Sequence, residues 1–512
     1  MASSYREQIY QTLPRLLALY DNEQASTSYG VGDRFHWAWG LIDFGNGTFQ
    51  GAANGLARLL ANHLLPEGYS ETAIMNRINA IYHGAERLSR KDGSMEEAFP
   101  YEGSFCVTAL VAYDLLTALE LISFRLDNNT RKRYLSVVRP MIAFLHAAEE
   151  THAFISNHLA TAVGALYKWH KLTGENSENR AAEILGRILA EQSEEGWYRE
   201  YEGADPGYQS LCTYYLADVL RMTNNTILRE SLECSLRFLW HFIHPDGSFG
   251  GIYGSRNTRF YYPAGIEYLA DQIPEAASLA QFMRDSIKRQ TVVTLTSMDE
   301  ANLIPMFNSY CWAATLEKEI LGTSDIPCRD PIPFRRYWPA SGLLVDRGEK
   351  HYTIIAGRKG GVVYHYCDGK SPLIDSGLLF KSENGKLFST QVLAKKNVIV
   401  LKDDKMIIQS EIKPVTKQLP KTWQFVILRF LNITIMRFRY PRELIKKMLV
   451  RILITGSRRS FGHNHRMIQL GHNLKILDQP SPAAGLRQIP TTGLFSAIHM
   501  ASQGYWQAQD EA

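Results

Sequence analysis

The sequence contains few cysteines, and none of its six forms a CxxC pair. Scattered cysteines are typical of reduced, mostly buried thiols, so we expect neither a disulfide framework nor a zinc site built on them. No stretch reaches the roughly 20 uninterrupted apolar residues of a membrane-spanning helix. Residues 1–24 also lack the continuous apolar segment of a secretory signal, so a cytoplasmic location is predicted.

The histidines offer one loose metal-ligand spacing, formed by His463, His465 and His472. No carboxylate lies close to them in the sequence, whereas protein zinc sites bring three or four side-chain ligands together. The sequence therefore predicts no metal site and no other cofactor.

The length and composition are those of a protein with two domains. A chain of 512 residues exceeds the size at which one hydrophobic core keeps growing. Its apolar content of 45% and charged content of 21% are ordinary for a globular protein.

Residues 1–325 have a helical and repetitive pattern. Turn-forming or small residues precede apolar helical segments at spacings of roughly 50 residues. These predicted helix starts lie near Thr48, Ser104, Ser156, Asp205, Tyr262 and Pro305. Each unit has room for two helices with apolar residues at i, i+3, i+4 and i+7. Because Trp, Tyr, His and Arg recur in the loops before these starts, we predict a closed α/α toroid whose inner helices begin at one mouth.

The pattern changes after a Pro-rich segment, residues 326–342, which is predicted to be a linker. Short β-type runs with alternating apolar residues follow, so residues 343–512 are predicted to form an antiparallel β-sandwich. Residues 423–431 and 433–440 are rich in aromatic and β-branched residues and are read as further strands. Residues 444–455 fit a helix or a strand.

Positive charge is concentrated in residues 421–470, which contain eleven Lys and Arg residues and a single acidic residue, Glu443. Such a segment is either a set of solvated faces or a surface for an anionic polymer or an anionic membrane. No nucleic-acid-binding motif accompanies the charge, so nucleic acid is not a predicted partner. The oligomeric state is left open.

Two predicted helix starts carry polar side chains suited to chemistry. Asn157 and His158 follow Ser156, and Tyr208 follows Asp205 and a proline. Ser and Asp are good N-caps, and the first turn of a helix favours an anion. If both starts face one cleft, that cleft would hold a carboxylate beside an acid/base group.

These motifs, on a toroid followed by a sandwich, resemble the heparinase II/III-like polysaccharide lyases and epimerases. Asn157-His158 in ISNHLATA looks like the Asn-His pair of that family, and Tyr208 in DPGYQSL looks like its catalytic tyrosine. The segment GGVVYHYCDGKSPLIDSG looks like the strand pair that ends in the family's Leu-x-Asp-x-Gly turn.

The resemblance implies removal of the C5 proton of a uronic acid followed by β-elimination. Asn157 and His158 would stabilise charge on the substrate carboxylate, and Tyr208 would move the proton. A free tyrosine has a pKa of about 10, so cationic neighbours are needed. Further predicted substrate-binding residues lie on nearby loops and in the second domain: Arg199, Arg256, Arg259, Tyr261, Tyr262 and His365.

One departure from the family keeps other functions open. The family's His-rich stretch is reduced here to His365, preceded by Arg358 and Lys359. A uronate C5-epimerase and an inactive glycan-binding or assembly protein are therefore alternatives to a lyase linked to bacterial surface polysaccharide. A terpene-cyclase-like barrel is a further alternative suggested by the turn at 246–250, although no DxDD motif accompanies it.

Overall fold

The helices of the first part of the chain alternate between two concentric layers. The computed structural model describes residues 4–151, 153–318, 326–415, 421–450, 459–491, 493–498 and 501–507. The helices before the first strand are α1 (Ser4–Leu17), α2 (Arg34–Trp37), α3 (Ala53–Ala61), α4 (Glu71–Leu88), α5 (Phe105–Ile122), α6 (Asn128–Ala147), α7 (Ser156–Thr173), α8 (Glu178–Ala190), α9 (Pro206–Thr223), α10 (Thr226–Leu239), α11 (Ala264–Leu269), α12 (Pro274–Lys288) and α13 (Glu300–Leu316).

The inner layer is a closed ring. Helices α3, α5, α7, α9, α11 and α13 each pack against the next, and α13 packs against α3. The outer helices α4, α6, α8, α10 and α12 each pack on the inner helix before them, and α1 packs on α13. This confirms the predicted α/α toroid.

Burial explains which helices lie inside. Inner helix α5 is buried around most of its circumference, whereas outer helix α8 buries only one stripe. Helix α5, extended to 105–125, is long and apolar enough to cross a membrane, but 78% of its most apolar window is buried within the protein. Its apolar length therefore suits a core helix between two inner neighbours.

Side-chain N-caps mark two of the inner helix starts where the sequence predicts them. Ser104 caps α5 and Asp205 caps α9, each accepting a hydrogen bond from a backbone N–H group of the first turn.

The predicted cap Ser156 is wrong, because it is the first residue of α7 and its hydroxyl donates to the carbonyl of Arg199. The start predicted near Pro305 is also wrong, because α13 begins at Glu300 and Asp299 is its cap. Pro305 lies inside that helix.

The second part of the chain forms three antiparallel sheets within the described residues. In sheet order they contain β1–β5, then β10, β7, β6 and β13, then β12, β11, β9 and β8. The strands are β1 (Phe334–Trp338), β2 (Leu343–Gly348), β3 (His351–Ala356), β4 (Val362–Cys367), β5 (Leu373–Asp375), β6 (Leu379–Ser382), β7 (Leu387–Ser389), β8 (Val398–Lys402), β9 (Lys405–Glu411), β10 (Lys413–Pro414), β11 (Gly462–Gln469), β12 (Lys475–Pro482) and β13 (Leu486–Ile489).

The first sheet divides its side chains between two cores. Leu344, Ile355 and Val363 pack with Met406 and other residues of the third sheet. Residues that alternate with them belong to the toroid core, as the two-residue period of a strand requires. The two facing sheets form the predicted β-sandwich. The first sheet already begins at Phe334, within the segment predicted to be a linker, because β1 pairs along its length with β2.

Two helices replace the strands predicted between 423 and 440. Helix α14 (Thr422–Ile433) and helix α15 (Arg439–Val450) lie between β10 and β11. The aromatic and β-branched content of this segment favoured strands, but its apolar residues recur at helical spacing. Helix α15 resolves the open helix-or-strand interpretation of residues 444–450. Residues 451–455 lie outside the described residues.

Candidate functional site

The loops before the inner helices gather at one mouth of the toroid, and the candidate site lies there. Helices α7 and α9 are neighbours in the ring. The loop before α7 is joined to the loop before α9 because the backbone N–H of Ser156 donates to the carbonyl of Arg199, at 3.1 Å. The predicted meeting of these two helix starts is therefore present.

Asn157 is fixed by a buried carboxylate. Its side-chain amide donates to Glu200 Oε2 at 2.8 Å, and its backbone N–H donates to Oε1 at 3.0 Å. Both residues are buried. Burial raises the pKa of Glu200 well above its usual range, although the hydrogen bonds from Asn157 favour the carboxylate. Asn157 thus joins the start of α7 to the loop before α9.

His158 is held by a second carboxylate. Its Nδ1 lies 2.7 Å from Glu150 Oε2, and its side chain is 18% exposed while that of Glu150 is 2% exposed. A carboxylate at Nδ1 favours the tautomer in which Nδ1 carries the proton, so Nε2 is left as an acceptor. His158 is therefore oriented as a proton acceptor would be.

Tyr208 lies in the first turn of α9. Its backbone N–H is capped by Asp205 Oδ1 at 3.2 Å, and its hydroxyl donates to Ser502 Oγ at 2.8 Å. Burial raises the pKa of the Tyr208 phenol well above its usual range, and this effect outweighs that of the nearby Arg256. Tyr208 is thus a protonated phenol at neutral pH.

Arg256 brings positive charge to the same place. Its guanidinium lies 4.0 Å from the centre of the Tyr201 ring, and its backbone N–H donates to Asp205 Oδ2 at 2.8 Å. Burial raises the pKa of Tyr201 to about 12, although Arg256 favours its anion. Tyr201 is close enough to both Glu150 and Tyr208 to interact with them electrostatically.

The other predicted binding residues are placed less favourably. Arg199 pairs with Glu191 at 2.7 Å and donates to the carbonyl of Tyr201, and Arg259 lies 5.8 Å from the centre of the Tyr505 ring. Arg199 therefore contacts the loop before α9, and Arg259 contacts the C-terminal segment.

Tyr261 and Tyr262 are core residues rather than exposed substrate contacts. Tyr261 is fully buried and packs edge-on against Phe249 with ring centres 5.3 Å apart. Tyr262 is 4% exposed, and its backbone N–H donates to Ser210 Oγ. Their predicted contact with sugar is not supported by this burial.

His365 faces away from the toroid. It lies on the same face of β4 as Val363, which belongs to the sandwich core, and its Nδ1 is 2.7 Å from Thr353 Oγ1. The neighbouring Tyr364 points to the toroid instead, where its hydroxyl accepts from the backbone N–H of Ile252. The alternation of a strand therefore removes His365 from the predicted cleft.

Lys359 of the second domain also reaches the loops at the mouth. Its Nζ donates to the carbonyl of Gly254 at 2.8 Å and also to Asn257 Oδ1. Burial lowers the pKa of Lys359 to about 7, even though Asp205 favours its charged form. Because Lys359 is only 1% exposed, we assign it a role in bracing the loop that carries Arg256.

Sequence reasoning missed Glu150, Glu200, Tyr201 and Ser502. In the sequence, Glu150 and Glu200 look like exposed glutamates. Their burial and their hydrogen bonds to His158 and Asn157 are known only from the fold. Tyr201 carries one weak sequence signal, its place in the aromatic loop before α9; its φ of 59°, uncommon for a residue with a side chain, is known only from the fold.

Two segments from the second domain border the mouth. On one side, Arg442 of α15 pairs with Asp92 at 3.0 Å and Lys446 donates to the carbonyl of Gly103. A cavity of about 190 Å³ lies beneath α15 and is lined by Glu150 among others. On the other side, residues 501–507 carry Ser502 to Tyr208.

A buried polar network fills the centre of the ring below this mouth. Asn54 donates to Asp114 Oδ1 at 2.8 Å, and Tyr113 donates to Asp218 Oδ2 at 2.8 Å. Burial raises the pKa of Asp114 to about 8, against the effect of Asn54 and a nearby arginine. A terpene-cyclase-like enzyme would need a large apolar cavity in this position, so the network disfavours that alternative.

Comparison with known proteins shows the fold. No protein-family model matches the sequence, and no curated protein matches it in sequence. The chondroitin AC lyase of Streptomyces coelicolor A3 is 12% identical, with a TM-score of 0.51 over 81% of this chain and 67% of the lyase. A Paenibacillus xanthan lyase is 12% identical, with a TM-score of 0.48 over 80% of this chain and 45% of the lyase. Cellobiose 2-epimerase from Bacillus thermoamylovorans B4167 is 12% identical, with a TM-score of 0.44 over 60% of this chain and 97% of the epimerase.

These proteins are lyases of polysaccharides and an epimerase of a sugar. The specific resemblance to heparinase II/III-like proteins stays a prediction. The chain has the fold of the chondroitin AC lyase, an α/α toroid followed by antiparallel β-sheets.

Proposed function

We propose that this chain is an enzyme that acts on an acidic, uronate-containing polysaccharide by removing the C5 proton and eliminating the glycosidic oxygen. The observation that carries the proposal is the pairing of two acid/base groups at neighbouring helix starts. His158, in the first turn of α7, is oriented by Glu150. Tyr208, in the first turn of α9, lies near Arg256.

We propose a different role for each group. In the tautomer that carries its proton on Nδ1, His158 can accept at Nε2, so it is suited to take the C5 proton. Tyr208 stays protonated because burial raises its pKa, so it is suited to donate to the leaving oxygen. Arg256 would stabilise the charge that develops on the substrate carboxylate.

Asn157 acts through Glu200 in this scheme. Its amide and backbone N–H groups both donate to Glu200, which anchors the loop carrying Tyr201. We therefore propose that Asn157 is a positioning residue rather than a direct contact of the substrate carboxylate, because the residue is 4% exposed and its amide donates to Glu200.

The test is incubation with a panel of uronate polymers while the ultraviolet absorbance of the unsaturated uronate product is followed. We expect Tyr208→Phe to reduce the rate by about 10²- to 10⁴-fold, the usual contribution of a general acid or base. Tyr198→Phe is the matched control, because it also removes one hydrogen-bonded tyrosine hydroxyl, here bonded to Ser231 at 2.7 Å. Equal rates in the two variants would contradict the role of Tyr208.

A C5-epimerase is the second candidate, and the presence of two separate acid/base groups favours it. An epimerase needs one group to remove the proton and another to return it to the opposite face. Exchange of deuterium from solvent into C5 without chain cleavage would identify this activity. If neither assay detects activity but the chain still binds a glycan array, the results would support an inactive binding protein.

The biological setting belongs to the same proposal. We propose a role in bacterial surface polysaccharide metabolism and a cytoplasmic location, both on the sequence reasoning above. Cell fractionation with an antibody against the full chain would test the location.

A further inference from the structure

Helix α14 presents an apolar face to solvent. Five of its large apolar residues, each at least half exposed, recur at helical spacing along one side: Trp423, Val426, Ile427, Phe430 and Ile433; Phe425, 51% exposed, lies outside that stripe. At 100° per residue the five positions fall within one stripe about 120° wide. A stripe of this width normally packs against a core, yet no described part of the chain covers it here.

Helix α15 extends the surface and shows which side is attached to the protein. Tyr440, Leu444 and Met448 are exposed and lie on one face, spaced four residues apart. Arg442 and Lys446 lie on the opposite, buried face, where they contact the toroid mouth. The helix is therefore anchored by its charged side and presents its apolar side.

The charges that border this surface are positive. Residues 421–450 contain seven Lys and Arg residues and one acidic residue, Glu443. Glu443 accepts a hydrogen bond from Thr151 of the toroid, so it faces the protein. Lys421, Arg437 and Lys447 are exposed. An apolar stripe bordered by basic side chains matches the acyl boundary and the head groups of an anionic bilayer.

We propose that α14 and α15 form a monotopic membrane-binding hairpin that inserts its apolar face at the surface of a bilayer containing anionic phospholipids. A soluble anionic polymer fits less well, because Val426, Ile427 and Leu444 offer it neither charge nor an aromatic face. Trp423 and Tyr440 suit the interface, where aromatic side chains with a polar edge collect. The proposal does not rest on the proposed reaction.

The experiment is flotation of the full chain with vesicles of phosphatidylcholine alone or of phosphatidylcholine with phosphatidylglycerol. We expect binding to the anionic vesicles that weakens as salt is added, because surface charge is screened. The double variant Val426→Glu/Phe430→Glu should reduce the partition coefficient by at least about tenfold. Lys421→Gln and Lys447→Gln should each reduce it by about fivefold.

The matched control is Phe124→Glu/Ile227→Glu. These two residues are exposed apolar side chains of the toroid, at 71% and 64%, outside the hairpin. The control should bind vesicles like the unmodified chain, and circular dichroism should show that all variants remain folded.

Three results would overturn the proposal. The first is no binding to either kind of vesicle, and the second is equal binding by the hairpin variant and its control. The third is a dimer, seen by light scattering, that Val426→Glu/Phe430→Glu dissociates without any effect on vesicle binding. Binding to a soluble anionic polysaccharide without binding to vesicles would also overturn the proposal.

Discussion

The buried ion pair between Lys168 and Asp218 should be a strong determinant of toroid stability. Lys168 lies on α7 and Asp218 on α9, and both side chains are fully buried with Nζ and Oδ2 2.9 Å apart. Lys168 also reaches Glu120 of α5 at 3.1 Å. One ammonium group therefore joins three consecutive inner helices.

The perturbation is Lys168→Met, which keeps the length of the side chain and removes its charge. Breaking a buried pair from one side usually costs about 3–5 kcal/mol, because the remaining charge is uncompensated. Here Asp218 keeps Arg221 at 2.7 Å and the hydroxyl of Tyr113, so we expect the lower end, about 3 kcal/mol. Urea unfolding followed by circular dichroism measures this loss.

The chain offers a matched control in Lys171→Met. Lys171 lies on the same helix and pairs with the same Glu120 at 2.8 Å, but it is 52% exposed. An exposed pair contributes about 0–1 kcal/mol, so the control should lose little stability. If both variants lose the same amount, or if Lys168→Met loses less than about 1 kcal/mol, burial is not what gives the pair its effect.

The remaining predictions concern the titration of two other groups and the orientation of His158. Burial raises the pKa of Glu120, but Lys168 and Lys171 outweigh it and lower that pKa to about 2. The stability from Glu120 is therefore full above pH 4.5 and is lost as the pH falls through 2, and Lys168→Met should flatten this dependence in urea titrations. Burial lowers the pKa of Lys359 to about 7. Between pH 7 and about 10 the unfolded chain therefore keeps a proton on this lysine that the folded chain has lost, so the free energy of unfolding should rise with pH. Lys359→Met should remove that rise. If the proposed reaction is correct, Glu150→Gln should lower kcat by about 10²-fold or more with little change in KM, and Glu150→Asp should restore part of it.

The toroid could be predicted because its signals are local and repeated. Caps such as Ser104 and Asp205 mark helix starts by their own chemistry, and the period of roughly 50 residues brings successive starts to one end. The exception shows the limit of this reasoning. Pro305 resembles a first-turn proline, but Asp299 caps the helix instead and Pro305 is accommodated within it.

The candidate site could be predicted only in part, since burial and pairing depend on the fold. The neighbourhood of Asn157, His158 and Tyr208 follows from the ring. The carboxylates that hold the first two, Glu200 and Glu150, come from loops with no motif of their own. His365 was placed on the wrong side because a strand alternates its faces, and the sequence alone did not fix the register of β4 against the toroid.

The segment from 421 to 450 shows how composition and periodicity can point in different directions. Its Val, Ile, Phe and Trp content favours strands, and this content decided the prediction. Spacing carries the better signal, because Trp423, Val426, Ile427 and Phe430 fall at i, i+3, i+4 and i+7. The same stripe that predicts a helix also predicts a partner for its apolar face, and the protein leaves that face exposed. In the part of the chain that the structure describes, no core covers the periodic face of α14, so we propose a surface outside the chain as its partner, and the vesicle experiment tests that proposal.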